Sequence, residues 1–216
     1  MKRALIIVDV QNDFLPGGAL AVPEGDKIIP VINHIQVQDC FDHIFATQDW
    51  HPANHGSFAM QHPGRAPGDI IKLNGLTQVL WPAHCVQGTV GAAFAPKLDT
   101  RRIEKIFHKG ADPRVDSYSG FFDNGHKHAT GLEAYLREQK LVEIFIVGLA
   151  TDYCVKATAL DSAKLGFATS VIADACRGVN LKPGDDQRAL DEMRAAGVRV
   201  RTSDEIFGAF LISKIL

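Results

Sequence analysis

The sequence predicts an α/β fold, a three-layer α/β/α sandwich built on a mainly parallel sheet of about six strands. Two observations predict it. Six short segments rich in β-branched residues recur along the 216-residue chain, and they are nearly continuously apolar, as strands buried on both faces are. Helical patterns lie between these segments, and strands that alternate with helices form right-handed βαβ units around a parallel sheet.

The predicted strands, in chain order, span residues 4–10, 43–50, 105–110, 143–149, 169–175 and 198–202. The first of them, ALIIVDV, follows two basic residues and superficially resembles the start of a secretory signal. Its apolar run ends at Asp9, is too short, and is followed by no small-residue cleavage site. A first β-strand is therefore the better interpretation.

Helical periodicity is found in four segments, 27–36, 130–140, 152–166 and 185–197. Thr130 and Glu133 have the spacing of a capping box. Asp152 is a good N-cap for the third helix, and Gly166 and Gly197 are typical residues at a helix end. These signals fix the expected order of elements along the chain.

The segment from about 51 to 100 is rich in Gly, Pro and His and has little periodicity. A loop of that length inside a compact domain is usually functional. Because the sequence contains no internal repeat, low-complexity tract or linker, we expect a single domain over residues 1–216.

Composition and charge exclude several classes of protein. A hydrophobic content of 46% and a charged content of 22% are ordinary values for a globular protein. The net charge of -2 argues against a nucleic-acid or anionic-membrane surface, and no apolar run approaches the roughly 20 residues of a membrane-spanning helix. We expect a cytoplasmic protein that acts on a small molecule, and the sequence leaves open whether it forms a homo-oligomer.

The chain has four cysteines, Cys40, Cys85, Cys154 and Cys176, at irregular spacing and without a CxxC pair. Such a pattern predicts reduced thiols rather than a disulfide framework or a zinc knuckle. Cys154 differs from the others because it lies in VGLATDYCV, where a predicted strand ends and a helix begins.

Reactive side chains follow the predicted strands: Asp9 ends the first, Asp49 the second and Lys109 the third, and Cys154 begins the helix after the fourth. Ligands of open α/β sheets bind outside the carboxyl ends of the strands. A nearby ammonium and a helix N-terminus are expected to lower the pKa of the Cys154 thiol, and a carboxylate can move its proton. His108, beside Lys109, is a rival base.

A second group of side chains predicts a metal site. Asp49 and His51 stand at positions i and i+2 of an extended segment and point the same way, and His84 in WPAHC supplies a third N/O ligand. Three such ligands leave positions open for water or substrate, as a catalytic metal requires. The sequence does not decide whether His55 or Ser57 adds a fourth ligand.

Six blocks in order resemble the isochorismatase-like cysteine hydrolase family, and within it the nicotinamidase (pyrazinamidase) group. They extend from about residue 4 to about residue 180 and read IIVDVQNDFLPGGALAV, ATQDWHPANHGSFA, WPAHCVQGT, FHKG, VDSYSGFFDN and VGLATDYCVKATALDSAKLG. The resemblance implies a C–N hydrolase that converts nicotinamide to nicotinate and ammonia in NAD salvage, with pyrazinamide as a further substrate.

The resemblance also implies roles for individual residues. It implies that the catalytic residues are Asp9, Lys109 and Cys154. It implies that the peptide between Leu149 and Ala150 is cis and that the backbone amides of Ala150 and Cys154 form an oxyanion hole. It also implies that the substrate ring is bound by Phe14, Trp81 and Tyr118, and the metal by Asp49, His51 and His84. The implied cofactor is one divalent ion, zinc first, with iron and manganese as alternatives.

Other functions remain open at this point. A related hydrolase of the same family could act on another small amide. Two His and one carboxylate also describe the facial triad of non-haem iron oxygenases, although that function gives Cys154 and Lys109 no task. A non-catalytic metal-binding protein is a further alternative. Dinucleotide binding is disfavoured because no G-x-G-x-x-G follows the first strand.

Overall fold

The computed structural model describes residues 2–206. The strands in this range are β1 (Arg3–Val8), β2 (His43–Asp49), β3 (Ile70–Leu73), β4 (Leu76–Val79), β5 (Lys105–Lys109), β6 (Glu143–Leu149), β7 (Ala168–Arg177) and β8 (Arg199–Arg201). Six of them form one sheet in the order β5-β2-β1-β6-β7-β8, and every neighbouring pair is parallel. The predicted parallel sheet is therefore confirmed.

The α-helices are α1 (Ile28–Val37), α2 (Leu132–Glu138), α3 (Lys156–Lys164) and α4 (Asp185–Ala195). The apolar face of α1 packs with β1 and β6 residues such as Ile7 and Val147 in one core cluster. Helices α2, α3 and α4 pack on the opposite face of the sheet in a second cluster with Ile6 and Ile146. Both faces of the central strands are thus covered, which is why their sequences are apolar throughout.

The long segment before β5 contains more regular structure than its sequence predicts. Strands β3 and β4 form an antiparallel hairpin outside the main sheet. Asn74 and Gly75 connect them with φ of 49° and 83°, the backbone that a two-residue hairpin turn requires and that Asn-Gly favours. The Asn74-Gly75 dipeptide is the sequence signal that could have predicted this hairpin. The prediction of an irregular loop was wrong for this part of the segment.

The start of α3 also differs from the prediction. Residues Thr151–Val155 form a single π-helical turn before the α-helix begins at Lys156, and no side chain caps that turn. The Asp152 carboxylate instead accepts the backbone N–H groups of Val179 and Asn180 at 2.9 and 2.8 Å. Its role is to fix the loop after β7, because a carboxylate satisfies buried amides wherever they lie.

Within residues 2–206, no helix is both long enough and apolar enough to cross a membrane.

Candidate active site

The carboxyl ends of four adjacent strands bring the predicted reactive residues together. Lys109 at the end of β5 is the register partner of Asp49 at the end of β2, and Asp9 follows β1 on the other side of β2. Asp9 has φ of 49°, a left-handed conformation that Asp adopts more readily than most residues. Cys154 lies in the π-helical turn that follows β6.

The Lys109 ammonium is the centre of this group. Its Nζ lies 2.8 Å from Asp9 Oδ2 and 2.5 Å from Asp49 Oδ1. It also donates to the Ser117 carbonyl at 3.0 Å and to Cys154 Sγ at 3.3 Å. The Thr47 hydroxyl donates to the second oxygen of Asp9 at 2.6 Å. One buried cation therefore contacts two carboxylates and the thiol at once.

The charges of the buried groups follow from these contacts. Burial alone would lower the pKa of Lys109, but Asp49 and Asp9 raise it well above its usual value. Burial would raise the pKa of Asp49, yet Lys109 and His51 hold it well below its usual range. For Asp9, burial prevails over the attraction of Lys109, and its pKa is raised. Asp49 therefore ionises more readily than Asp9, and Asp9 holds a proton more readily than Asp49.

The Cys154 thiol behaves differently from the sequence-based expectation. Burial raises its pKa well above the usual value, and the opposing effect of Lys109 is too weak to reverse the shift because Asp9 and Asp49 add to it. The expected lowering of the thiol pKa is therefore wrong for the free protein. The raised pKa favours the neutral thiol, which could act as a nucleophile only after a base had removed its proton.

His108 is not brought into this group. Its ring is exposed and stacks on the Trp50 indole with 4.6 Å between ring centroids. The alternative base considered from the sequence therefore lies outside the site, and the structure leaves Asp9 next to the thiol.

Asp49, His51 and His84 form a second group on the far side of the Asp49 carboxylate. Each offers a ligand atom within 4.8 Å of the others, and the Nε2 atoms of His51 and His84 lie 3.5 and 3.7 Å from Asp49 Oδ2. Lys109 contacts the other oxygen of that carboxylate, Oδ1. Asp49 therefore links the two groups.

Backbone carbonyls fix the tautomers of both histidines. His51 Nδ1 lies 2.8 Å from the Gly110 carbonyl and His84 Nδ1 lies 2.8 Å from the Pro82 carbonyl. A carbonyl can only accept, so each Nδ1 carries a hydrogen, and in the neutral ring each Nε2 then has a free lone pair. Gly110 has φ of 68°, and a Cβ there would lie 2.4 Å from the His51 ring, so this contact requires glycine.

His55 has the opposite tautomer. Its Nδ1 accepts the backbone N–H of Ser57 at 3.2 Å and lies 2.7 Å from the Ser57 hydroxyl. In a neutral ring the hydrogen is then on Nε2, and burial lowers the pKa of His55, which favours the neutral form. A hydrogen on this buried Nε2 would have no acceptor within residues 2–206, and His55 also belongs with His51 and Asp116 to a second group of possible metal ligands. His55 therefore remains a candidate fourth ligand.

Gln11 positions Asp49 and was missed from the sequence. Its side-chain oxygen accepts the Asp49 backbone N–H at 2.9 Å, and its Nε2 donates to the Asp49 carbonyl at 2.8 Å. The same nitrogen donates to the Ala92 carbonyl at 2.8 Å. A glutamine has no sequence signature for this task, because only the fold shows which peptide it reaches.

A pocket opens above these groups. It is lined by the predicted residues Phe14, Asp49, Trp81, His84, Tyr118, Ala150 and Cys154, and by Leu20, Asp116, Tyr153 and Val179, which were not predicted. The peptide bond between Leu149 and Ala150 is cis, as the resemblance implies. The thiol, the metal-ligand group and the aromatic rings thus line one cavity, as expected of a small-molecule site.

The isochorismatase domain model matches residues 3–205. The chain belongs to the isochorismatase family.

Individual members of the isochorismatase family are close to this chain. The nicotinamidase of Escherichia coli is 52% identical over 202 residues, which cover 93% of this chain and 94% of that protein. A nicotinamidase/pyrazinamidase structure from Acinetobacter baumanii has a TM-score of 0.91 at 47% identity and covers 95% of this chain and 98% of its own. A pyrazinamidase of Pyrococcus horikoshii in complex with zinc has a TM-score of 0.76 at 41% identity and covers 94% and 99% of the two chains.

Proposed function

We propose that the protein is an amidohydrolase that converts nicotinamide to nicotinate and ammonia in NAD salvage, and that also accepts pyrazinamide. The observation that carries the proposal is the Cys154 thiol, held 3.3 Å from the Lys109 ammonium at the base of a pocket with aromatic walls. The 52% identity to a nicotinamidase over most of both chains supports the choice of substrate.

The pocket residues suit a flat heteroaromatic amide. The cavity is lined by the aromatic rings of Phe14, Trp81 and Tyr118. Aromatic side chains stack on a flat ring or pack edgewise against it. Cys154 and Ala150 line the same cavity, so a substrate ring among the aromatic residues places its carboxamide toward the thiol. Holding the reacting atoms in this way supplies part of the rate acceleration.

In the proposed reaction, Asp9 takes the proton of the Cys154 thiol as sulfur attacks the carboxamide carbon. The tetrahedral intermediate collapses when the C–N bond breaks, and Asp9 returns the proton to the departing nitrogen, which leaves as ammonia. Asp9 then takes a proton from a water molecule as the water oxygen attacks the thioester carbon. The C–S bond breaks, Asp9 returns the proton to sulfur and so re-forms the thiol, and the carboxylic acid is released.

Charge develops on the carboxamide oxygen in both halves of the reaction. We propose that the backbone N–H groups of Ala150 and Cys154 donate to it. Loss of one such donor typically costs about 3 to 4 kcal/mol. Lys109 stays charged throughout and stabilises sulfur as the thiol proton leaves, since its Nζ contacts Sγ directly.

We propose that Asp49, His51 and His84 hold one divalent ion, with zinc first and iron or manganese as alternatives. When bound, the ion orients the substrate through its ring nitrogen, directly or through water. The residues fit a metal because the two imidazoles, when neutral, present Nε2 lone pairs towards one carboxylate oxygen. The zinc complex of the Pyrococcus horikoshii relative supports this choice of metal.

Removal of one ligand tests the metal site. We expect His84→Ala to lower zinc affinity by roughly 100-fold or more, because a ligand contributes at least as much as the outer-shell partners that orient it. The measurement is competition with a chromogenic chelator, with elemental analysis of the dialysed protein. His62→Ala is the matched control, since that histidine donates to the Gly56 carbonyl on the same long segment. Equal zinc affinity in both variants would contradict the assignment.

The proposed reaction is tested by incubating the purified, zinc-loaded protein with nicotinamide and with pyrazinamide. We expect one ammonia and one carboxylic acid per amide consumed. Benzamide, which has the carboxamide but no ring nitrogen, separates recognition of the amide from recognition of the ring and should be a poorer substrate. Absence of ammonia release from both heteroaromatic amides would contradict the proposal.

A further inference from the structure

The Tyr118 hydroxyl is held from two sides. Its oxygen accepts the Trp81 indole N–H and the side-chain N–H of Gln78, each at 3.2 Å. A phenolic oxygen has two lone pairs and one hydrogen. Both lone pairs are therefore used inside the protein, and the hydroxyl can offer a ligand in the pocket only its hydrogen.

Gln78 is buried, and its amide nitrogen has three acceptors within reach. Its two hydrogens are shared among the Val79 carbonyl at 2.7 Å, Asp116 Oδ2 at 3.0 Å and the Tyr118 oxygen at 3.2 Å. A carboxylate and a carbonyl can only accept, so the amide nitrogen, and not its oxygen, has to face them. The orientation of Gln78 is thus set by its surroundings.

Gln78 also joins two separate parts of the pocket. It belongs to β4, in the hairpin outside the main sheet, only three residues before Trp81. Asp116 and Tyr118 lie on the connection that follows β5, about forty residues further along the chain. Both connections contribute lining residues to the pocket, and the Gln78 amide links them by hydrogen bonds.

The rings beyond this amide form a close cluster. Tyr153, which precedes the thiol residue, packs edgewise against Trp81 and Tyr118 with ring centroids 4.9 and 5.4 Å apart. A shift of Tyr118 or Trp81 would therefore change the packing of the Tyr153 ring, which lines the same pocket. The hydrogen bonds from Gln78 and Trp81 hold this cluster in one arrangement.

We propose that Gln78 is a positioning residue for the substrate ring, which it controls through Tyr118 and Trp81 without contacting the substrate. The proposal rests on the proposed function for the nature of the ring. Gln78 holds the Tyr118 and Trp81 side chains and does not contact the thiol. Its loss should therefore weaken binding of the substrate ring more than it slows the chemical step. It also frees one lone pair of the Tyr118 oxygen, which changes the polarity of that wall.

The test variant is Gln78→Met, which keeps the length of the side chain and removes its donors. We expect KM for nicotinamide to rise about fivefold to tenfold, the effect of about one net hydrogen bond, with kcat within about twofold. The Trp81 indole N–H signal in a ¹H–¹⁵N spectrum should shift, since its acceptor has moved. The chain has two tryptophans, and Trp50→Phe assigns the two indole signals.

Thr77→Val is the matched control, because Thr77 is the exposed neighbour of Gln78 on β4 and its hydroxyl accepts a hydrogen bond from the exposed Lys72 ammonium. It should leave KM and the Trp81 signal unchanged. Tyr118→Phe removes the shared acceptor and provides a second variant should Gln78→Met fold poorly. It should shift the same signal, and adding Gln78→Met should raise KM little further, because both changes break one network.

Unchanged KM and an unmoved Trp81 signal in Gln78→Met would overturn the proposal, and so would a fall in kcat with KM unchanged. The indole signal does not depend on the substrate. If the wild-type protein fails to hydrolyse nicotinamide, the proposed function fails, while the signal still decides whether Gln78 positions Trp81.

Discussion

Cys154→Ala is expected to lower kcat on nicotinamide by about 10⁴-fold or more. The proposed thioester cannot form without sulfur, and removal of a catalytic nucleophile has effects of at least this size in other hydrolases that use one. The fold should persist, since the change removes one buried atom. The measurement is ammonia release under saturating substrate, with circular dichroism to confirm folding.

Cys176→Ala is the control for this result. Cys176 is buried in the same core cluster as Cys154, but it does not line the pocket, so its removal should leave turnover near the wild-type rate. Acid-quenched wild-type enzyme should carry a nicotinoyl adduct on the peptide that contains Cys154. Turnover that survives in Cys154→Ala, or an adduct on another residue, would remove the thiol from the reaction.

Lys109→Met is expected to reduce both stability and activity. It leaves Asp9 and Asp49 buried without their shared cation, and breaking a buried ion pair on one side typically costs about 3 to 5 kcal/mol. We expect the free energy of unfolding of the metal-free protein to fall by about this amount in urea titrations. Turnover should fall as well, because sulfur loses the ammonium that stabilises it.

Lys105→Met is the matched control, with the same substitution on the same strand. Lys105 is exposed, and its ammonium lies 3.9 Å from the centre of the Tyr135 ring. Loss of such a contact costs about 0.5 to 1 kcal/mol. Equal destabilisation by the two substitutions would show that burial between two carboxylates has no special effect at Lys109.

The strands were predictable because a sheet buried on both faces leaves an apolar run for each strand. The predicted segment 143–149 coincides with β6, and 43–50 exceeds β2 by one residue. The convergence of Asp9, Lys109 and Cys154 followed from the same rule, because parallel strands all end at one edge. The hairpin of β3 and β4 was missed because, apart from the buried Gln78, the residues of its short strands are half-buried or exposed and form no buried run.

The electrostatic state of the thiol was not predictable from spacing. The sequence places a lysine near Cys154 and predicts a lower pKa, but the outcome depends on burial and on two carboxylates around the same ammonium. Gln11 and Gln78 were missed for a related reason. A glutamine acquires a role only from the groups that the fold brings within about 3 Å of its amide.

The pairing of β5 has a consequence for folding. This strand lies at the edge of the sheet, and its five residues set which way Lys109 points. Since side chains alternate along a strand, a slip of one residue against β2 would turn the ammonium to the opposite face. Such a misfolded chain would keep most of its sheet and lose its catalytic centre. Regained activity after denaturation therefore reports native alignment of this edge, which total β-sheet content would not.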